Sequence, residues 1–337
     1  MVSMAGRTRV LGAALALIFA GCTREAAPPG GPARPTTVLL QTNWFAEAEF
    51  GGYYQALAKG FFRDENLDVR IIQGGPGALP VQKIATGQVQ FALARSDDLM
   101  LAAQQKIPVL IVAAQLEHDP QVIIVHADSP VRSFRDLDGK SIMVEPGSAW
   151  ISHLERKFSI HINTIPENYG IAQFVADKNF IQQGFLTWEP YVFDQLKVST
   201  RSMLIADSGY DPYRALFCNR DYAMSHPDVV RAFIRASLRG WKDYLGPDPS
   251  PANALITGDH AETTPAVLAY SLSELKRAHI VDGDAAKGER IGLIRRKRLE
   301  EQIGVLRELG LLTGDMKVGQ VASFEFLPQD LREPAER

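Results

Sequence analysis

Cysteine is scarce in this sequence: two stand in 337 residues, at positions 22 and 218. Two cysteines cannot build a disulfide framework or a Cys-rich metal site. Histidine is thin as well. His118, His126, His153, His161, His226, His260 and His279 are scattered, and none pairs with another His or a Cys at metal-ligand spacing. An excess of positive charge is missing, since 36 Lys and Arg stand against 39 Asp and Glu. A nucleic-acid binder needs a basic face, so nucleic acid is not an expected partner. The G-x-S-x-G elbow, the phosphate-binding Walker loop, H-E-x-x-H and G-x-G-x-x-G are also absent. No catalytic residue, metal ligand or cofactor is therefore assigned. No apolar run reaches the roughly 20 residues that cross a bilayer.

What is present starts with a short apolar run, Val10 to Ala20, behind Arg7 and Arg9. Its length and basic flank read as a signal peptide over residues 1–21. Phe19-Ala20-Gly21-Cys22 resembles the bacterial lipoprotein signal. That resemblance implies a lipid on Cys22 and a chain anchored at the periplasmic face of a bacterial membrane, inner or outer. Ordinary cleavage leaving a free Cys22 is the alternative. Residues 22–36 carry Pro28, Pro29, Gly30, Gly31, Pro32 and Pro35 and read as a flexible tether. Cys218 then stands alone, so no intrachain disulfide is expected.

Beyond the tether, strand and helix patterns alternate. Thr37–Gln41, Leu67–Gln73, Gln90–Ala94 and Pro108–Ala114 read as strands, with helices at Tyr53–Phe62, Ala78–Thr86 and Asp97–Gln105 between them. Such alternation predicts an α/β fold with mostly parallel sheets. Val122–Val125 reads as a further strand ended by Asp128-Ser129-Pro130, where the alternation restarts. The expected division is 37–128 as a first lobe, 129–212 as a second, 213–328 as a return to the first lobe with C-terminal helices, and 329–337 as a tail. Helices are expected at Pro227–Tyr244, Pro251–Thr257, Pro265–Ala278 and Ile294–Gly310. The run Arg295-Arg-Lys-Arg298 precedes Glu300 and Glu301 at the spacing of helical ion pairs and reads as a solvated face.

Leu40-Gln-Thr-Asn-Trp-Phe45, Gly51-Gly-Tyr-Tyr-Gln-Ala-Leu-Ala-Lys-Gly-Phe-Phe62, Ser133-Phe-Arg-Asp-Leu-Asp-Gly-Lys140 and Trp188-Glu-Pro-Tyr191 resemble type II periplasmic binding proteins. More narrowly they resemble the group that binds thiamine-pyrimidine precursors, with nitrate, taurine and alkanesulfonate binders as cousins. The resemblance implies two lobes, each a mostly parallel sheet flanked by helices, that close on a small molecule. It implies a monomeric solute-binding protein, not an enzyme, working with the permease and ATPase of an ABC importer. A ligand-sensing receptor and a biosynthetic enzyme on the same fold are the other classes. The fungal relatives that make thiamine pyrimidine carry a Cys-rich iron motif, which this chain lacks. The pyrimidine binders also carry polar residues where Glu49-Phe50 stands here.

In open α/β sheets the ligand sits beyond the carboxyl ends of the strands. Asn43, Trp44 and Glu49 follow the first strand, and a Trp offers a flat face to a ring. Ser96, next to Arg95, follows the third; its alternative role is a helix cap. Ser148 and Trp150 follow Glu145, with cap and core as their alternative roles. Trp188, Glu189 and Tyr191 follow the strand near Gly184. A buried carboxylate needs a donor, so aromatic rings with carboxylates and few cations favour a nitrogen heterocycle over an anion. Gly74–Gly77 reads as a tight turn. Hinge closure is expected about two crossings, near Asp128–Ser133 and Asp207–Pro212.

Overall fold

The computed structural model describes residues 34–332, so the signal peptide, Cys22, most of the tether and the end of the tail lie outside the described residues. Ten strands are present: β1 Thr36–Gln41, β2 Leu67–Ile72, β3 Phe91–Arg95, β4 Val109–Leu116, β5 Gln121–His126, β6 Ser141–Val144, β7 Asn163–Pro166, β8 Ile181–Phe185, β9 Thr200–Leu204 and β10 Arg214–Asn219. They form two five-stranded sheets, in the orders β2-β1-β3-β10-β4 and β7-β6-β8-β5-β9.

Each sheet is parallel except for one strand. β10 runs antiparallel to β3 and β4, and β5 runs antiparallel to β8 and β9. Both reversed strands are the first that the chain builds after crossing from the other lobe. This corrects one expected boundary. Val122–Val125 belongs to the second lobe, so the first crossing is residues 117–120 and not Asp128–Ser133. β5 is buried along its whole length, and such a run carries no mark of which sheet it will join. The second crossing lies between β9 and β10, over residues 205–213.

The C-terminal helices pack back on the first lobe. Pro227–Tyr244 buries Val230, Phe233, Ile234 and Trp241 along one face, the period expected of an amphipathic helix. Gly52 and Gly240 let this helix approach Gly51–Ala58: a Cβ on Gly240 would lie 2.1 Å from the Gly52 carbonyl oxygen. The basic run is less solvated than its spacing suggested. Lys297 does pair with Glu301 at 3.8 Å, but Arg298 turns inward to Glu117 at 3.0 Å and Asp211 at 2.9 Å. It thereby holds both crossings. The second lobe keeps a smaller core of its own, in which Val122, Ile124, Met143, Phe174, Phe180 and Phe193 are buried together.

Candidate functional site

The loop after β1 and the turn that follows it meet the second lobe. The shape of the loop is fixed by its own backbone. The Thr42 hydroxyl donates to the Trp44 carbonyl at 2.6 Å, and the Gly74 N–H donates to the same carbonyl at 3.0 Å. A Cβ on Gly74 would lie 2.5 Å from the Asn43 carbonyl carbon. Gly74 is therefore a strut for the Trp44 loop, and its N–H is committed. The Ala46 N–H donates to Gln73 Oε1 at 3.0 Å, and Phe45 stacks on His260 at 4.7 Å between centroids. Asn43, Trp44 and Glu47 are left half-buried at the cleft.

The facing wall, in the second lobe, comes from the end of β8 and the helix Glu189–Gln195. The two walls touch at several points. The Thr187 hydroxyl donates to Glu49 Oε1 at 2.5 Å, and Trp44 stands 5.2 Å from the ring of Tyr169. Helix Pro265–Arg277 of the first lobe reaches across as well. The Ser271 hydroxyl donates to the Thr187 carbonyl at 2.6 Å, Tyr270 donates to the Leu186 carbonyl at 3.3 Å, and the Tyr191 and Tyr270 rings lie 5.4 Å apart. Arg95 at the end of β3 lies 3.7 Å from Glu145 at the end of β6. These contacts describe a closed arrangement.

Three carboxylates gather at the meeting of the walls. Glu49 is only 6% exposed. Burial raises its pKa, against the pull of Arg214 and the Thr187 hydrogen bond. Burial also lifts Glu47 well above the usual carboxylate range, with Glu49 and Glu189 adding repulsion. Glu189 is pushed up to about 7 by burial, although the Phe185 N–H donates to its Oε2 at 2.6 Å. The nearby cation, Arg214, is already paired with Asp119 at 3.0 Å and lies over the Phe185 ring at 5.3 Å. The cleft thus holds more carboxylate than its cations neutralise. Carboxyl groups held toward their protonated form both donate to and accept from a neutral polar ligand, and the cation beside them is already paired.

The structure brings Trp44, Glu49, Glu189 and Tyr191 to this junction, with Asn43 at its margin and Trp188 between Thr187 and Glu189 in the chain. Ser96 and Trp150 are elsewhere. The Ser96 hydroxyl donates to Gln302 Oε1 at 2.7 Å and ties two helices together, and Trp150 is 1% exposed within the core. Ser148 donates to the carbonyl of Glu145 at 2.8 Å and closes its own turn, so it does not cap the following helix through its side chain. Thr187, Tyr169, Arg214 and Asp119 were not singled out, and Glu47 was passed over for Glu49. Of these only Glu47 had a local signal, its place beyond β1. Among the described residues no group of His, Cys, Asp and Glu is placed to hold a metal ion. The buried Cys218 thiol is pushed up to about 12 and is no nucleophile at neutral pH.

Residues 47–251, more than half of the chain, match the family described as NMT1/THI5 like. The chain is 28% identical to the riboflavin-binding protein RibY of Chloroflexus aurantiacus, covering 71% of this chain and 74% of that one. It is 23% identical to the formylaminopyrimidine-binding protein of Halalkalibacterium halodurans, over 77% and 81% of the two chains. The alkanesulfonate-binding protein SsuA from Xanthomonas axonopodis pv. citri, solved bound to MOPS, superposes with a TM-score of 0.63 at 15% identity. That match covers 87% of this chain and 100% of the other. It is a likeness of fold, and fold alone does not carry a ligand.

Proposed function

The chain belongs to the NMT1/THI5-like family, and on that premise we propose that it is the solute-binding lipoprotein of an ABC importer. Its solute is a thiamine-pyrimidine precursor or a related nitrogen heterocycle. The observation that carries this reading is the meeting of Glu47, Glu49 and Glu189 from two lobes, flanked by Trp44 and Tyr169. Exocyclic amino groups donate to the carboxyl oxygens, and ring nitrogens accept from a carboxyl that burial holds toward its protonated form. Aromatic faces supply stacking. Two relatives whose names specify riboflavin and formylaminopyrimidine fit that chemistry. A sulfonate or nitrate fits it poorly, because the nearby cation, Arg214, is already paired with Asp119.

Binding proceeds by hinge closure about residues 117–120 and 205–213, which buries the solute between the lobes. The closed surface is what a permease recognises. Cys22 carries the lipid that keeps the protein at the periplasmic face of the membrane. No residue is assigned a catalytic role.

The test is a thermal-shift screen of the purified protein with aminopyrimidines, flavins, sulfonates, nitrate and amino acids. A ligand that binds only the folded state at about 100 times its Kd adds about 2.7 kcal/mol of stability. A shift with aminopyrimidines or flavins is expected. A shift confined to sulfonates or nitrate overturns the solute assignment.

Glu189 gives a second expected result. Its folded pKa, near 7, lies above its ordinary value of 4.5. The folded state therefore holds a proton that the unfolded state has lost between those values, so stability falls as pH rises through that window. Glu189→Gln removes this penalty and keeps an acceptor for the Phe185 N–H. Relative to the parent, the variant should gain up to about 3 kcal/mol between pH 4.5 and pH 8. Urea unfolding at both pH values checks it, and a pH-independent difference would contradict a buried Glu189.

A further inference from the structure

The two lobes share one strand order but finish their outer edges differently. β4 and β9 occupy the same place, each the last strand beside the reversed one. The outer edge of β4 is closed by the chain itself. The Ile111 N–H donates to the Val321 carbonyl at 2.8 Å, the Ser323 N–H donates to the Ile111 carbonyl at 3.0 Å, and the Ala114 N–H donates to the Gly292 carbonyl at 3.1 Å. β9 pairs with β5 on one side. On its other side, among the described residues, no segment forms backbone hydrogen bonds with it. Folded proteins usually blunt such an edge with a charge, a proline or a covering segment. The charge available here does not cross the edge, because the Arg201 guanidinium folds back to donate to the Val131 carbonyl at 2.6 Å and the Ala127 carbonyl at 2.5 Å.

A groove of about 430 Å³ runs beside this edge, lined by Arg132, Phe134, Arg135, Phe158, Arg201 and Met203. Phe134 and Phe158 stack at 5.6 Å and give it an apolar wall. Arg135 lies 5.5 Å and Lys157 5.9 Å from the centroid of the Phe158 ring. Against these cations the groove presents one lining carboxylate, Asp207. Asp136 is turned into its own 3-10 turn, where it accepts from the Arg132 and Ser133 N–H groups and the Ser133 hydroxyl.

We propose that the free edge of β9 and this groove are a docking site for an extended, acidic segment of a partner protein, which adds to the second sheet as a sixth strand. Main-chain hydrogen bonds to β9 supply affinity, and alternate side chains supply selectivity. Within the set that faces the groove, apolar side chains rest on Phe134 and Phe158 and interspersed carboxylates reach Arg132 and Arg135. A second copy of this chain is the poorer occupant. Two β9 edges meeting about a twofold axis would set Arg132, Arg135 and Arg201 against their own copies, and like charges at an interface repel. The site lies outside the solute cleft and does not depend on which solute is bound.

The test uses the full chain and a fluorescein-labelled peptide of repeating Val-Thr-Glu-Thr, which presents Val and Glu on one face, read by anisotropy, with hydrogen exchange over residues 200–204. Salt-sensitive binding with protection of β9 is expected. Arg132→Glu, an exposed change, and Arg132→Glu with Arg135→Glu should each weaken binding, the double variant by about tenfold or more, with no change in Tm. A peptide N-methylated at alternate residues should not bind. Equal binding of the N-methylated peptide would show adsorption to the arginines without strand addition and overturns the proposal. So do absence of binding, indifference to both charge reversals, and a self-association of the parent that Arg132→Glu abolishes.

Discussion

Arg214→Ala should destabilise the protein by about 3–5 kcal/mol, the usual consequence of removing one partner of a buried ion pair. Arg214 and Asp119 are 7% and 2% exposed, and their side chains meet at 3.0 Å. Without Arg214, Asp119 keeps the Gln121 N–H at 3.0 Å on Oδ1, and its Oδ2 already lacks a partner. An almost fully buried carboxylate would then stand with a single donor. Glu47 and Glu49 would also lose the cation that lowers their pKa values, so the damage extends from the hinge into the cleft. The pair joins the first crossing to the foot of β10, and the Asp119 N–H donates to Asp211 of the second crossing at 2.9 Å. The loss should therefore appear both as a lower urea midpoint and as altered lobe closure in solution scattering. Asp119→Ala combined with Arg214→Ala should cost less than the two single changes together, because each single change strands a charge that the double variant removes. A single-variant loss below about 1 kcal/mol would match a solvated surface pair and refute the buried clamp.

The parts of this fold that were legible in the sequence are those with a local pattern. β1, β2 and β10 show buried or alternating runs, and the Pro227–Tyr244 helix shows its stripe and its proline at the start. β5 was legible as a strand but not as a member of the second sheet, because pairing with β8 and β9 is a long-range choice. β7 was missed altogether. It is short, mostly exposed and ends on Pro166, so neither period nor hydrophobicity marks it. The site divides in the same way. Trp44, Glu49, Trp188 and Glu189 follow strand ends, and topology alone places such residues near a cleft. Thr187 meets Glu49 across 138 residues of sequence, and nothing local to either announces the contact. Ser96 misled for the converse reason: its position beside a helix start suggested a cap or a ligand contact, while the fold spends its hydroxyl on Gln302, 206 residues away.

Trp44→Ala should cost little stability and nearly all solute capture. The ring is half-buried and meets Phe45 at 5.3 Å and, across the cleft, Tyr169 at 5.2 Å. The loop beneath it is held by the Thr42 hydroxyl and the Gly74 N–H, both bonded to the Trp44 carbonyl, and the substitution leaves these bonds in place. Folding should therefore survive, with only a small change in Tm. Affinity for the solute found by thermal shift should fall by about a hundredfold or more, since a central aromatic anchor is worth about 2–4 kcal/mol. Trp150→Ala supplies the contrast. That ring is fully enclosed in the core, so its removal should cost about 3–5 kcal/mol of stability. Titration calorimetry on the folded variants separates the two tryptophans. Undiminished affinity in Trp44→Ala would remove the aromatic wall from the site and leave the carboxyl groups to bind by hydrogen bonding. Trp44→Phe, which keeps a ring, should recover much of the loss if stacking is the interaction that matters.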